Sequence, residues 1–478
     1  MARHRIALSV LSISLLSACA VGPDFQSPAL PVSSTDTFTR AEAAGNAGPR
    51  GPSNDEFWRN FDDPALTELV DVALSTNHEI LAAVATYDAA NALLREYRFN
   101  QLPIITASAE AGHQRVSTDE AYGYPRSADR FSAGINASWE LDFFGRVRRL
   151  VESQRAETAA RVGDLHGIQV AIVGQVVTSY VRMRGTQERL RVAHANAANQ
   201  KEALRVVVDR VEAGRGNEYD ISRAKSLLET TTARIAPLEA QVAFDQHRLA
   251  VLTGRLPGTL VSTLSKPAGL PVLAYPIDPG TPADLLRRRP DIIAAEHRLH
   301  AATARTGVAT ADLFPRLTLG AMLGTFSLSG SDLFAGRSES NFVALGIDWS
   351  FLDVGRVRSR IEASDAQARS QLAHYQDTVL RALEETENAL IRLSRARQEA
   401  KHLESAARES EKSAVLARNR FSVGAIELFE LLDVERNLLQ AQDAYADSQT
   451  RSAMATVSLY SALAGGWPQR GSVGVPST

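Results

Sequence analysis

The stretch Trp139-Glu-Leu-Asp-Phe-Phe-Gly145-Arg146-Val147-Arg148 returns 210 residues later as Trp349-Ser-Phe-Leu-Asp-Val-Gly355-Arg356-Val357-Arg358. In both places an alternating apolar run reaches a Trp, a Gly follows, and a long segment without proline begins. The same offset pairs Arg210-Val-Glu-Ala-Gly214 with Arg420-Phe-Ser-Val-Gly424, and Tyr219-Asp220 with Phe429-Glu430. Thr253-Gly254 falls one residue out of step with Ala464-Gly465, while Leu102-Pro103 and Ile80 match Phe314-Pro315 and Ile292 at 212. A register this nearly gap-free marks an internal duplication, and with only two copies it is not an open solenoid.

Within each copy the proline-free stretch is rich in Ala, Leu, Glu, Arg and Gln, the composition of helix. No proline lies between Pro125 and Pro237 or between Pro315 and Pro468. The segments from Gly145 to Ala213 and from Gly355 to Val423 would each run roughly 100 Å as single helices. Helices of that length belong to coiled coils more than to globular domains. Leu393, Ala400, Ala407 and Ala414 recur every seven residues with Ala396 and Leu403 between them, a Leu/Ala stripe that lets helices approach closely. Each long helix ends at a glycine turn (Gly214 and Gly216; Gly424), and the chain returns through shorter helices at about 218–253 and 426–464. Segments 65–100 and 283–313 also read as helix. A short helix plus a return helix matches one long helix in length, which predicts end-to-end stacking beside it. Pro237, where the second copy has Asp447, predicts a kink in the first return helix only.

Between the short and long helices lies a pair of strands. In 131–141, Phe131, Ala133, Ile135, Ala137, Trp139 and Leu141 alternate with polar or small residues. In 343–351, Val343, Leu345, Ile347, Trp349 and Phe351 do the same, and 104–115 and 316–327 alternate more weakly. Taken alone, such strands equally suit a soluble sheet on a core. Beside helices of this length and the N-terminus described next, they suit a membrane barrel with a wet lumen. Four strands cannot close a barrel, and an open sheet in lipid leaves unpaired edges, so the chain must oligomerise.

The chain is 478 residues with 52 Lys+Arg against 55 Asp+Glu, and a net charge of −3 gives no basic footprint for nucleic acid. A single cysteine excludes a disulfide framework. Arg3 and Arg5 precede an apolar run from Ile6 to Leu16, too short to span a ~30 Å hydrocarbon core and suited to a secretory signal. The run ends Leu16-Ser17-Ala18-Cys19, a lipobox, so Cys19 is expected to become an N-terminal residue carrying S-diacylglycerol and an N-acyl chain. The organisation expected is 1–18 signal peptide, 19–64 lipidated tether, 65–254 first repeat, 255–282 linker, 283–465 second repeat and 466–478 tail. No later run is apolar enough for a transmembrane helix, so any span must be a barrel.

These features resemble the outer membrane factors of the TolC/OprM kind, in the lipoprotein, NodT-like branch. The resemblance is carried by Cys19-Ala-Val-Gly-Pro-Asp-Phe, by Phe57-Trp58-Arg-Asn-Phe61-Asp-Asp-Pro64-Ala-Leu66 and by Leu285-Leu-Arg-Arg-Arg-Pro290-Asp291-Ile-Ile-Ala-Ala-Glu296. Phe314-Pro315 and the tip from Arg420 to Arg436 complete it, so it covers residues 19 to about 465. It implies a mainly α chain with a β-barrel contribution: a duplicated unit with a long coiled-coil α-barrel and four strands per protomer, closing as a homotrimer with a 12-stranded barrel in the outer membrane lipid. It further implies docking to a periplasmic adaptor (membrane fusion) protein and an inner-membrane pump, usually of the resistance-nodulation-division class. Such proteins export drugs or other solutes and catalyse nothing.

Matching the second tip onto the family pattern puts Phe429 and Asp433 at a periplasmic gate, with Glu430 and Arg436 nearby as ion-pair partners. Tyr219 and Asp220 are the equivalent residues of a second gate ring. In a trimer each becomes a ring of three, with Asp433 setting cation preference and Phe429 a hydrophobic barrier. As ordinary coiled-coil residues, Phe429 would be packed and Asp433 solvated. His297 and His300 lie one turn apart without a third ligand, so no metal is expected, and no cofactor apart from the Cys19 lipid. No nucleophile elbow, P-loop or dinucleotide fingerprint occurs. The function expected is the outer-membrane exit duct of a tripartite efflux pump. A duct for type I protein secretion, or a structural envelope lipoprotein, stands as the alternative.

Overall fold

A computed structural model describes residues 20–33, 36–39, 54–119, 125–266, 268–271 and 277–464. The expected signal peptide, the lipidation residue Cys19, the last residue of the expected second repeat and the tail 466–478 lie outside them. In chain order the elements are α1 Pro64–Thr76, α2 His78–Phe99, β1 Ile104–Arg115, β2 Ser127–Leu141, α3 Arg146–Glu212, α4 Glu218–Thr232, α5 Ile235–Leu252, α6 Val261–Leu264, α7 Pro282–Arg288, α8 Pro290–Ala311, β3 Arg316–Ser327, β4 Glu339–Asp348, α9 Val354–Ser422 and α10 Leu428–Ala462. The long helices hold 67 and 69 residues. No helix among the described residues is long and apolar enough to cross a membrane.

The chain divides into two compact units, and each draws on both copies of the repeat. The first takes residues up to Ala29, 85–163 and 293–377. Its centre is one antiparallel sheet in the order β1-β2-β3-β4, so the two copies meet at β2 and β3. The register puts Ile135 between Ala107 and Leu323, and Leu319 between Trp139 and Leu345, which gathers the apolar alternates on one face. A one-residue slip would scatter them. That face is bare: Val343 is 76% and Ile105 70% exposed. Strand β4 starts and ends earlier than the expected 343–351, because β3 begins at Arg316 opposite Asp348. Trp349, past the end of the ladder, instead donates its Nε1–H to the Leu313 carbonyl at 3.0 Å. Trp139 donates to the Gln101 carbonyl at the same distance, the same device in the other copy.

Asp142 accepts from the backbone N–H groups of Val147 and Arg148 at 3.0 and 2.9 Å, capping the start of α3, while Gly145 supplies a φ of +80°. The N-terminal strap lies against this junction. Val21 N–H donates to the Phe144 carbonyl at 3.1 Å, and Arg149 binds Asp24 at 2.6 Å and Glu152 at 2.9 Å. A Cβ on Gly22 would fall 2.4 Å from the Gly307 Cα, so only glycine allows the strap to sit there. Phe25 stacks on His300, whose Nε2 reaches Glu152 at 2.8 Å.

The second unit, residues 30–84, 164–292 and 378 onward, holds the main core. Phe57, Trp58, Val176, Val177, Tyr180 and Tyr460 are buried there. Phe57 stacks on Tyr460 at 4.7 Å. Asp63 caps α1 through the Ala65 and Leu66 N–H groups and accepts the Tyr180 hydroxyl at 2.7 Å. Burial and that bond push the phenol up to about 12, so it remains a donor.

Two expected helices are corrected. Segment 65–100 breaks at Asn77 and 283–313 breaks at Arg289, each of extended backbone. Asn77 caps α2 by accepting from Glu79 N–H, and its Nδ2 donates to the Leu252 carbonyl at the end of α5. Arg289 precedes Pro290, which disfavours helix before it, and donates to the Ala462 carbonyl at the end of α10. The interruptions are therefore joints at which each return helix is capped, and they supply the end-to-end stacking expected. The out-of-step match at the repeat end is also corrected. The left-handed residues there are Gly254 (φ 66°) and Ala464 (φ 55°), in register at 210.

Candidate functional site at the helical tip

Both tip turns are built alike, and both lie in the second unit. Gly214 N–H donates to the Val211 carbonyl and Arg215 N–H to the Arg210 carbonyl. Gly424 and Ala425 repeat this with Phe421 and Arg420. These paired bonds close a helix on a left-handed residue, and Gly214 and Gly424 have φ of 73° and 78°. Gly216 has no such φ; there a Cβ would crowd Val211 Cγ2 at 2.9 Å.

The return helices start differently. Asn217 and Asp220 form a reciprocal capping box at 3.2 and 3.1 Å, which commits the Asp220 carboxylate to its own helix end. In the second copy the cap position is Glu427, which makes no side-chain cap bond, so Glu430 is not drawn into one. Glu430 has no ion pair among the described residues. The duplicated pair has diverged: the first-copy carboxylate is structural, and the second is free to face a neighbour.

Phe429 is 59% and Tyr219 65% exposed. The Arg223 guanidinium lies over both rings, 4.8 Å from the Phe429 centroid and 5.5 Å from that of Tyr219, and so ties the two copies together at the tip. Arg210 repeats the motif over Phe421 at 4.4 Å. The space between the turns is a cavity of about 310 Å³, bordered by Arg210, Arg215, Arg223, Tyr219 and Phe429. Asp433 is half-buried, pairs with Arg436 and accepts from Asn437 at 3.3 Å. Of the sequence candidates, the structure thus joins Asp433 to Arg436 and Tyr219 to Phe429 through Arg223, and leaves Glu430 apart.

Sequence reading missed Arg223 and the Arg418–Glu435 pair. Glu435 is 3% exposed and takes two bonds from Arg418, at 2.5 and 2.8 Å. The signal was present, since Glu435 interrupts the stripe Leu431, Leu432, Leu438, Leu439 on α10. Toward the tip, Val207, Ala224, Phe421, Leu431 and Leu432 belong to a small apolar cluster separate from the main core. Among the described residues no group of three side chains could hold a metal ion.

The outer membrane efflux protein family matches residues 69–255 and 281–465. Outer membrane protein OprJ of Pseudomonas aeruginosa is 31% identical over 98% of this chain and 98% of its own. The pyoverdine export outer membrane protein OpmQ of Pseudomonas putida is 31% identical over 97% of this chain and 98% of its own. Among solved structures, the outer-membrane channel OprN superposes with a TM-score of 0.85 at 36% identity, covering 94% of this chain and all of that one.

Proposed function

The chain belongs to the outer membrane efflux protein family, and from that premise we propose that three copies, lipidated at Cys19, close into one exit duct gated at the tip described above. It is an outer-membrane channel component of an efflux system, in a family of channels and not of enzymes. The observation that carries the closure by further copies is the four-stranded sheet. Both edge strands, β1 and β4, lack a partner among the described residues while one face is apolar and bare. Unpaired backbone groups in lipid cost several kcal/mol each, roughly, so the edges must meet other copies.

The tip is the docking end for a periplasmic adaptor, which couples the duct to an inner-membrane pump of the resistance-nodulation-division class. Phe429 and Asp433 constrict the pore, with Arg436 holding Asp433 and Arg223 holding Phe429. The cargo is a drug or another small solute. The test is the drug, dye and detergent susceptibility of a strain lacking this protein, with and without complementation. Restored resistance supports the reading, and no change across the panel overturns it. In planar bilayers, Phe429→Ala with Asp433→Ala should raise resting conductance severalfold; unchanged conductance counts against the gate assignment.

A further inference from the structure

Helix α3 presents two unlike faces in the second unit. Val173, Val176, Val177, Tyr180 and Val181 are fully buried in the main core. The opposite face carries Gly167, Ala171, Gly174, Thr178 and Arg182; Gly174 lets Ser461 of α10 approach closely, a Cβ there falling 2.9 Å from its Oγ, while Gly167 has nothing within 4 Å, and the small residues leave a concavity along this face. It is an open concavity of about 890 Å³, bordered by α5, α9, the end of α10 and the Arg289 joint. That volume is ordinary for a small-molecule site.

Its charges are unevenly matched. Arg289 is paired to Asp291 at 2.7 Å and Glu385 at 2.8 Å, and Arg182 to the buried Asp245 behind it at 2.5 Å. Arg248, on α5, bonds only the amide oxygen of Gln175. Arg392, on α9, has no partner among the described residues. Arg289 takes two carboxylates and Arg182 one, which leaves Arg248 and Arg392 with no carboxylate partner among the described residues, both exposed and both bordering the cavity. An arginine with free N–H groups beside a concave, small-residue wall is a receptor for a carboxylate, sulfonate or phosphate oxygen.

We propose that this cavity is an anion-holding station on the inner wall of the duct, with Arg248 and Arg392 as the groups that bind the anionic head of a passing solute. The inference rests on the trimeric-channel reading. The face opposite the core is the one that a ring of such walls turns to its axis, so three copies would supply six unpaired guanidiniums at one level. Charged rings of this kind set ion preference in pores.

The experiment is the reversal potential of the purified protein in planar bilayers under asymmetric potassium chloride. Arg248→Gln with Arg392→Gln should lower the chloride-over-potassium permeability ratio at least about twofold, in the manner of a removed charge ring. Arg248→Lys with Arg392→Lys should keep it, because the charge stays. Arg205→Gln, on an exposed stretch of α3 away from the cavity, should change nothing. Channels whose ratio is the same in the Gln pair as in the wild type overturn the station while leaving the channel reading intact. A ratio lost equally in the Lys pair overturns it as well, since shape and not charge would then be responsible. Absence of any conductance from the wild-type protein overturns the channel reading itself, and the station with it.

Discussion

Glu435 occupies a place on α10 where the surrounding leucines would put another apolar side chain, and it is tolerated because Arg418 meets both carboxylate oxygens. Removing one partner of a buried pair strands the other, and Arg418 is partly exposed, so Glu435→Ala should cost about 2 kcal/mol, less than a fully buried pair. Chemical denaturation of the wild type and the variant measures this. Near the sheet, Glu152 gives a pH effect whose sign can be worked out. Burial pushes its carboxyl up, but bonds from His300 and Arg149 outweigh burial and hold it below the usual carboxylate range. A lowered folded pKa contributes stability above the unfolded value and loses it as pH falls through the folded one. The strap at residues 20–25 should therefore keep its protection from hydrogen exchange at neutral pH and lose part of it as pH falls below the ordinary carboxylate range. Glu152→Gln should remove that pH dependence, and an unchanged profile would show that the strap is held by other contacts. Only part of this scale was legible in the sequence. Gly214 and Gly424 announced the turns, whereas Arg223 between two rings and Arg149 against the strap unite residues that are distant in sequence.

At the scale of elements, the two return helices differ by one residue type. Pro237 lacks the N–H that would bond the Ala233 carbonyl, and its ring crowds that carbonyl, so the helix divides at Ala233–Arg234 into α4 and α5. With Asp447 in its place, α10 runs unbroken for 35 residues. The break also separates allegiances: α4 gives Ala224 to the tip cluster, and α5 gives Leu249 and Leu252 to the main core. Pro237→Ala should restore a continuous helix and narrow the distance distribution between spin labels at Lys225 and Glu239, measured by pulsed dipolar spectroscopy. An equally broad distribution in the variant would mean that Pro237 is not what divides the helix. Helix lengths and the kink were legible, since periodicity and proline are local signals. The breaks at Asn77 and Arg289 were not read, because apolar periodicity continues on either side of each. Their reason is a carbonyl-capping contact to a helix some 175 residues away.

At the scale of the whole molecule, the sheet is unfinished in a single chain. Strands β1 and β4 are its edges, and the apolar alternates brought together by the register have no protein cover among the described residues. In mild detergent the protein should sediment with the mass of three chains of about 50 kDa, and a monomer that still conducts would refute the closure argument. The sequence by itself determined the duplication, the composition of the two long helices, the alternation of the strands and the positions of the tip turns. Each of these is written in local pattern or in self-similarity. Only the tertiary structure decided that the copies interleave so that β2 pairs with β3, that Asp220 is used up in a cap while its counterpart Glu430 is not, and that Arg248 of α5 and Arg392 of α9, neither with a carboxylate partner among the described residues, border one cavity beside α3. Those outcomes depend on which distant side chains arrive beside one another, and distance along the chain hides that from any local pattern.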